Sequence, residues 1–277
     1  MNMSNQQYFY IISGLPNLSL QDVQLPFSAK TFLEDLKNKM DKKDFKLVSI
    51  LYYARDNSNL LSVLFNKNNI SQPEGCYSLQ ELKKGIERNF LLPDYMNAFI
   101  ASFKENKNLY EEVIWEAKLT EEYFRTVTKT ENDFLNQWME FELNLKNMLL
   151  LMSNRKQALP FSEIIINANE VSALMKENSL ADFSTQPAID FMNEVVKIIE
   201  TENLIELEKK IDALRWKKLE EMSFFDYFTV EAILSFIIKL MIIERWATLK
   251  QGKEKVFLTP ILDELIEKFR MPVMENV

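Results

Sequence analysis

Acid–base catalysis by carboxylates alone sets one as acid and another as base across a pocket, and this sequence offers carboxylates for the task. Three adjacent pairs stand out: Glu111 with Glu112, Glu121 with Glu122, and Glu220 with Glu221. Neighbouring residues on a helix point to different faces, so none of these pairs is poised as acid and base; a solvated face is the plainer reading. Glu142 differs, because it stands in the greasy run "FLNQWMEFELNLKNMLLLM". A carboxylate there must find a partner or be neutralised. A structural bond to an arginine or lysine from another part of the chain is expected ahead of catalysis.

Most other chemistry lacks its residues. The chain has no histidine, which removes histidine-based triads, histidine-ligated zinc and di-iron sites built on Glu-x-x-His. The nearest glycines, Gly75 and Gly85, are too far apart for a phosphate-cradling loop or a dinucleotide fingerprint. Cys76 is the single cysteine. It can form no internal disulfide, has no histidine to activate it, and suits a reducing compartment. No metal and no cofactor are expected. The one catalytic reading left uses carboxylates alone, with magnesium, and requires several of them to converge on one pocket.

The elements that must position these residues are helical. Among 277 residues there are only four glycines, while hydrophobic residues make up 47%. Scarce glycine and abundant Leu, Glu, Lys and Met favour helices. A net charge of −8 is poorly suited to phosphate backbones, which argues against nucleic acid as a partner. The N-terminus "MNMSNQQ" shows no secretory signal. The greasiest stretch, "AILSFIIKLMIIERW", is interrupted by Lys239 and Glu244 and falls short of the about 20 apolar residues a bilayer crossing needs.

Helix starts are signalled by capping-box spacing at Thr31 with Glu34 and at Ser78 with Glu81. Pro93, Pro187 and Pro260 read as first-turn prolines. Long helices are expected over 107–126, 128–153, 187–222 and 228–250, with loops at 66–77, 154–161 and 179–186. Two short β-branched stretches, "YFYIIS" (Tyr8–Ser13) and "SEIIINA", are strand candidates, and "GLP" closes the first with a turn.

One phrase recurs. "NLLSVLFNK" begins at Asn59, "NMLLLMSNR" at Asn147, and a fainter "RWATLKQGK" at Arg245. Aligned on those anchors, the positions twelve, nine and eight residues upstream and one and four downstream are apolar in all three copies. Those two sets lie on nearly opposite sides of a helix, so each copy is enclosed or broken partway along. The second copy, greasy almost all round, should be a central buried helix. Each copy ends alike: Asn66, Asn154 and Gly252 suit a left-handed helix stop, and Lys67, Arg155 and Lys253 follow as cations near the carbonyl end. Three copies spaced 88 and 98 residues apart are too far apart for a short-repeat solenoid and suit three lobes about a common centre.

A helix carrying Glu, then Asn, then a basic residue after the last turn resembles the C-type adapter subunits of V/A-type rotary ATPases, called d in eukaryotes. The best match is "EFELNLKNMLLLMSNRK", Glu140 to Lys156, and "VEAILSFIIKLMIIERWATLKQGK" resembles the family's last repeat. The opening "YFYIISGLPNLSLQD" looks like a bacterial family associated with V-type ATPase operons. Glu142, Asn147 and Arg155 match the pattern together; the first copy has Ala54 at the acidic position, and the third has Leu240 and Arg245 at the acidic and Asn positions.

The resemblance implies one all-α body spanning 1–277, with lobes near 1–75, 76–165 and 166–277. It implies a non-catalytic adapter, peripheral on the cytoplasmic face of the membrane. The adapter would link the central-stalk subunits to the proteolipid ring during proton or sodium transport. Asn59, Lys67, Glu142, Asn147, Arg155, Arg245 and Lys253 are the candidate interface or lobe-packing residues. A bland alternative is open for them: the Asn/Asn/Arg triplet fixes helix packing and the cations merely end helices. The rival for the whole chain is a helical interaction scaffold with another partner.

Overall fold

The computed structural model describes residues 3–22, 25–67, 73–88, 91–157, 164–177, 191–201 and 203–250. Among them the fold is all-α, with no strand. In chain order the described helices are α1 (Met3–Ser13), α2 (Ala29–Lys39), α3 (Lys42–Leu64), α4 (Leu79–Arg88), α5 (Asp94–Asn106) and α6 (Glu112–Val127). There follow α7 (Asp133–Gln157), α8 (Glu170–Glu177), α9 (Met192–Ile199), α10 (Leu204–Met222) and α11 (Val230–Lys250). None of them is long and apolar enough to cross a membrane.

The chain divides into two compact units whose segments interleave. Unit 1 takes residues 1–87, 129–138 and 212–255; unit 2 takes 88–128, 139–211 and 256–277. The expected lobe limits near 75 and 165 fall inside unit 1 and inside unit 2 respectively.

In unit 1, α2, α3 and α11 pack on one another, and α1 lies on α11. Leu36, Val48, Leu60, Ile233 and Ile237 are fully buried between them. Phe32 joins the layers, with its ring 5.3 Å from both Phe27 and Phe236. In unit 2, α5 packs on α6 around Trp115, whose ring meets Phe99, Phe103 and Tyr110 at 5.6, 5.0 and 5.4 Å. Such edge-on pairs add to the burial of the rings themselves. From Phe141 to Leu151 no residue of α7 is exposed, as its near-continuous apolar run predicts.

Several expectations need correction. Tyr8–Ser13 is the last part of α1, not a strand. An aromatic run of that length fits either period; as a helix it buries Tyr8, whose hydroxyl bonds Asp44 and Asp41. The turn at "GLP" is where the sequence places it, with the Gly14 N–H on Ile11 O at 3.2 Å. The other strand candidate is irregular chain over 165–168. At α2 the cap is Ser28, whose hydroxyl accepts the Thr31 N–H, so Thr31 lies a turn inside the helix. Two hydroxyls three residues apart compete for that position, and the earlier one wins. Pro93 is the residue before α5, not its first turn. The expected helix 187–222 is interrupted between α9 and α10. The Ser78–Glu81 box forms in full, with Ser78 N–H on Glu81 at 2.7 Å and Glu81 N–H on Ser78 Oγ at 3.3 Å. Pro187, Pro260, Gly252 and the loop 179–186 lie outside the described residues.

Candidate functional site

Asn66 has the left-handed conformation its place at the end of the first copy requires, with φ of 54°. The Asn66 N–H donates to Val63 O at 3.2 Å and the Lys67 N–H to Ser62 O at 2.9 Å. That pair of bonds is a Schellman stop, satisfying two carbonyls the helix would otherwise leave open. Lys67 is exposed just beyond it. The second copy does not stop where expected. α7 runs through Asn154 and Arg155 to Gln157, because asparagine tolerates a left-handed turn without compelling one. The Arg155 side chain and all of Lys253 lie outside the described residues.

The anchors themselves show what the repeated phrase is for. Asn59 is buried on α3, and its Nδ2 donates to Pro73 O at 3.3 Å. Asn147 is buried on α7, its Nδ2 donating to Ile166 O at 2.8 Å while its Oδ1 accepts the Ile166 N–H at 3.0 Å. In each case the helix grips the backbone of its own chain as it returns, rather than a neighbouring helix. One turn earlier a second polar residue on each helix bonds the same return segment, Asp56 at the segment's backbone and Asn144 at a side chain. The Asp56 carboxylate accepts the N–H groups of Cys76 and Tyr77 at 3.0 and 3.1 Å. The equivalent Asn144 Oδ1 accepts from Asn169 Nδ2 at 3.0 Å.

Both gripped segments then open a helix through a reciprocal cap. In unit 1 that is the Ser78–Glu81 box of α4. In unit 2 the Asn169 Oδ1 accepts the Ser172 N–H at 2.7 Å and the Ser172 Oγ accepts the Asn169 N–H at 2.9 Å, starting α8. Helix, return, grip, cap and helix recur in the same order, once in each unit.

The third copy departs. Ile242 stands at the Asp56 position and is buried. Arg245 pairs with Asp212 on α10, whose same oxygen accepts the Trp246 Nε1 proton at 2.7 Å. Arg215 takes the other oxygen at 3.1 Å. Asp212 is buried, and two guanidinium groups with an indole satisfy it. The arginine therefore fixes α11 to α10 instead of holding a return segment. Glu142 is half-buried on α7.

Sequence reasoning missed Asp56, Asn144, Asp212 and the cluster at Glu244. Glu244 accepts the Arg55 Nη2 at 2.6 Å through one oxygen and the Ala29 N–H at 2.9 Å through the other. It thereby ties α11 to α3 and to the start of α2. The signal was a lone carboxylate in the greasiest stretch. Lys239, the other charge there, sits 4.9 Å from the Trp216 ring centroid and 3.7 Å from Glu220, and burial pulls its pKa down.

Electrostatics at the first grip are set by burial. Asp56 is pushed up to about 7 by desolvation, against the two N–H bonds that favour its charged form. Burial likewise pushes the Cys76 thiol up to about 12, so it is a poor nucleophile and its contribution is a backbone N–H. Among the described residues no group of three His, Cys, Asp or Glu side chains could hold a metal ion. The arrangement is suited to holding chain, and its bonds are all internal to one unit or the other.

A family profile described as a protein of unknown function, DUF2764, matches residues 3–269. The chain belongs to the DUF2764 family. Its match takes in both grips, both caps and the Asp212 cluster. No curated protein and no solved structure matches the chain.

Two predictions arise for this DUF2764 chain. Asn147→Ala strands the buried Ile166 N–H and takes one of two donors from the Ile166 carbonyl, which keeps the Ala168 N–H at 3.2 Å, and is expected to cost about 2 kcal/mol. Asn59→Ala removes one longer bond and should cost about 1 kcal/mol. Urea denaturation of both variants checks the order, and amide exchange at Ile166 should quicken only in the first. Gly75 is the second position. A Cβ there would stand 2.5 Å from the Asp56 Oδ1, so Gly75→Ala should cost about 1–3 kcal/mol through overpacking. Asp56→Ala in the same chain removes the obstacle, so the double variant should lose less than the two single losses combined.

Proposed function

We propose that this chain is a non-catalytic adapter of a V/A-type rotary ATPase, coupling the central stalk to the membrane proteolipid ring during proton or sodium transport. The observation that carries the reading is the recurrent grip. Two helices bearing the same sequence phrase perform the same act on their own return segments, which supports duplication of one helical module. A duplicated helical module is what the likeness to the C-type adapter subunits implies. The third phrase, beginning at Arg245, is the most diverged copy, and its ion pair with Asp212 replaces the grip.

A stiff body suits torque transfer, because close-packed interiors resist compression. Buried side chains that pin the return segments to α3 and α7 add to that stiffness. In this reading the carboxylates are structural, Asp56 and Asp212 included, and no cofactor takes part. The chain is peripheral on the inner face of the membrane through its partners.

Affinity purification of the tagged chain from the cell that encodes it, in mild detergent, tests the proposal. Stalk and ring subunits should be recovered in fixed proportion to it. Recovery of the intact ATPase without this chain would overturn the reading. A helical scaffold for another partner is the second reading, favoured by a set of exposed aromatic residues in unit 1; the same purification separates the two.

A further inference from the structure

Six aromatic side chains of unit 1 stand in solvent. Phe225 is 81% exposed, Tyr10 79%, Tyr227 67% and Phe224 66%, with Phe9 and Phe228 above two-fifths. Four come from the turn "FFDYF" between α10 and α11, and α1 supplies the other two. They form two ring groups on and beside one short turn: the Phe9 ring lies 4.8 Å from Phe228 and 5.9 Å from Tyr10, and Phe224 lies edge-on to Phe225 at 4.9 Å. Monomeric proteins rarely expose contiguous apolar patches of this kind, and those that persist mark interaction sites.

Charge within the turn itself is acidic, and Glu220 at its start is paired with Lys239 at 3.7 Å. From Glu220 to Glu231 the chain carries four carboxylates and no lysine or arginine. No charged residue occurs in α1. Directly behind the patch, the Tyr8 hydroxyl donates to Asp44 and Asp41. Asp44 feels the charges of Asp41 and Glu231, and Asp226, inside the aromatic turn, feels Glu231 too. The nearby Lys43 is paired with Glu131 at 2.8 Å. The surface therefore offers rings for apolar contact and a shared negative field around them.

We infer that this aromatic turn docks a cationic amphipathic segment of another protein, seating large aliphatic side chains among the rings and lysine or arginine against the carboxylates. An anionic lipid surface would be repelled by the same field, and a second copy would set like charge on like. The inference stands apart from the adapter reading and survives its failure.

The probe is a fluorescein-labelled helical peptide of leucine and lysine, titrated with the full chain and read by anisotropy at low and high salt. Phe224→Ser with Phe225→Ser should weaken binding about tenfold or more, as loss of a central aromatic anchor does. Glu221→Gln with Asp226→Asn should weaken it about threefold and flatten the salt dependence. Leu109→Ser, at an exposed position in unit 2, should change nothing. If the double serine variant fails to fold, Phe225→Ser alone is read, since that ring is the most exposed. Equal binding by a leucine and glutamate peptide, or unchanged affinity in the serine variants, overturns the inference. So does aromatic-dependent self-association, or aromatic-dependent binding to phosphatidylcholine–phosphatidylglycerol vesicles, in a chain that does not take the cationic peptide.

Discussion

Glu244→Ala is expected to destabilise the protein by about 3–5 kcal/mol, the range for removing one partner of a buried ion pair. The Glu244 and Arg55 side chains are each only 12% exposed. Truncating the carboxylate leaves a guanidinium in a low-dielectric site, where its Nη1 has no hydrogen-bond partner among the described residues even with Glu244 present. It also strands the Ala29 N–H in the first turn of α2, one of the donors a helix start must satisfy from outside. The loss follows from the unpaired charge more than from the missing attraction. Arg55→Met combined with Glu244→Leu should therefore lose less than either single replacement. Chemical denaturation of the four chains measures this. Equal, small losses in both singles would show that water reaches the pair.

The second large effect is a pH dependence carried by Asp56. Its carboxyl lies near 7 in the fold, raised by burial, against about 3.9 in an unfolded chain. The folded state thus binds this proton more tightly, and its protonation contributes stability below about pH 4 that is lost as pH rises through about 7. A gap of about three pH units between the folded and unfolded values corresponds to roughly 4 kcal/mol between those limits. Asp56→Asn lacks the titration. Wild-type stability measured relative to that variant should fall by this amount from about pH 4 to about pH 8. A flat difference would mean that the Cys76 and Tyr77 N–H groups hold Asp56 ionised throughout.

The helices were legible because their signals are local. Apolar spacing places α3, α7 and α11, and the Ser78–Glu81 box marks the start of α4. Where two local readings compete, the sequence alone could not choose. Tyr8–Ser13 is short and aromatic and fits either period, and in the fold it completes α1 with Tyr8 buried. Ser28 and Thr31 are both adequate caps, and the choice between them sets the first turn of α2. Asn66 and Asn154 are the same residue type in the same phrase, yet one closes its helix and the other does not.

The polar contacts were less legible. Asn59 and Asn147 were visible as anchors, but their bonds reach 14 and 19 residues ahead to backbone atoms, which carry no sequence signature. Asp56 and Asn144 share a register that becomes meaningful only once both returning segments are in view. Asp212 had no signal at all, since it sits in "EKKIDALRWKK", a stretch whose charges predict a solvated face.

Membrane vesicles containing the rotary ATPase of the cell that encodes this chain offer the most direct measurement. ATP hydrolysis and ion uptake are followed together, with the chain present, stripped, and added back. Coupling through an adapter predicts that stripping leaves hydrolysis running while uptake falls to background, and that the purified chain restores uptake. Uptake that continues undiminished without the chain would contradict the proposed role.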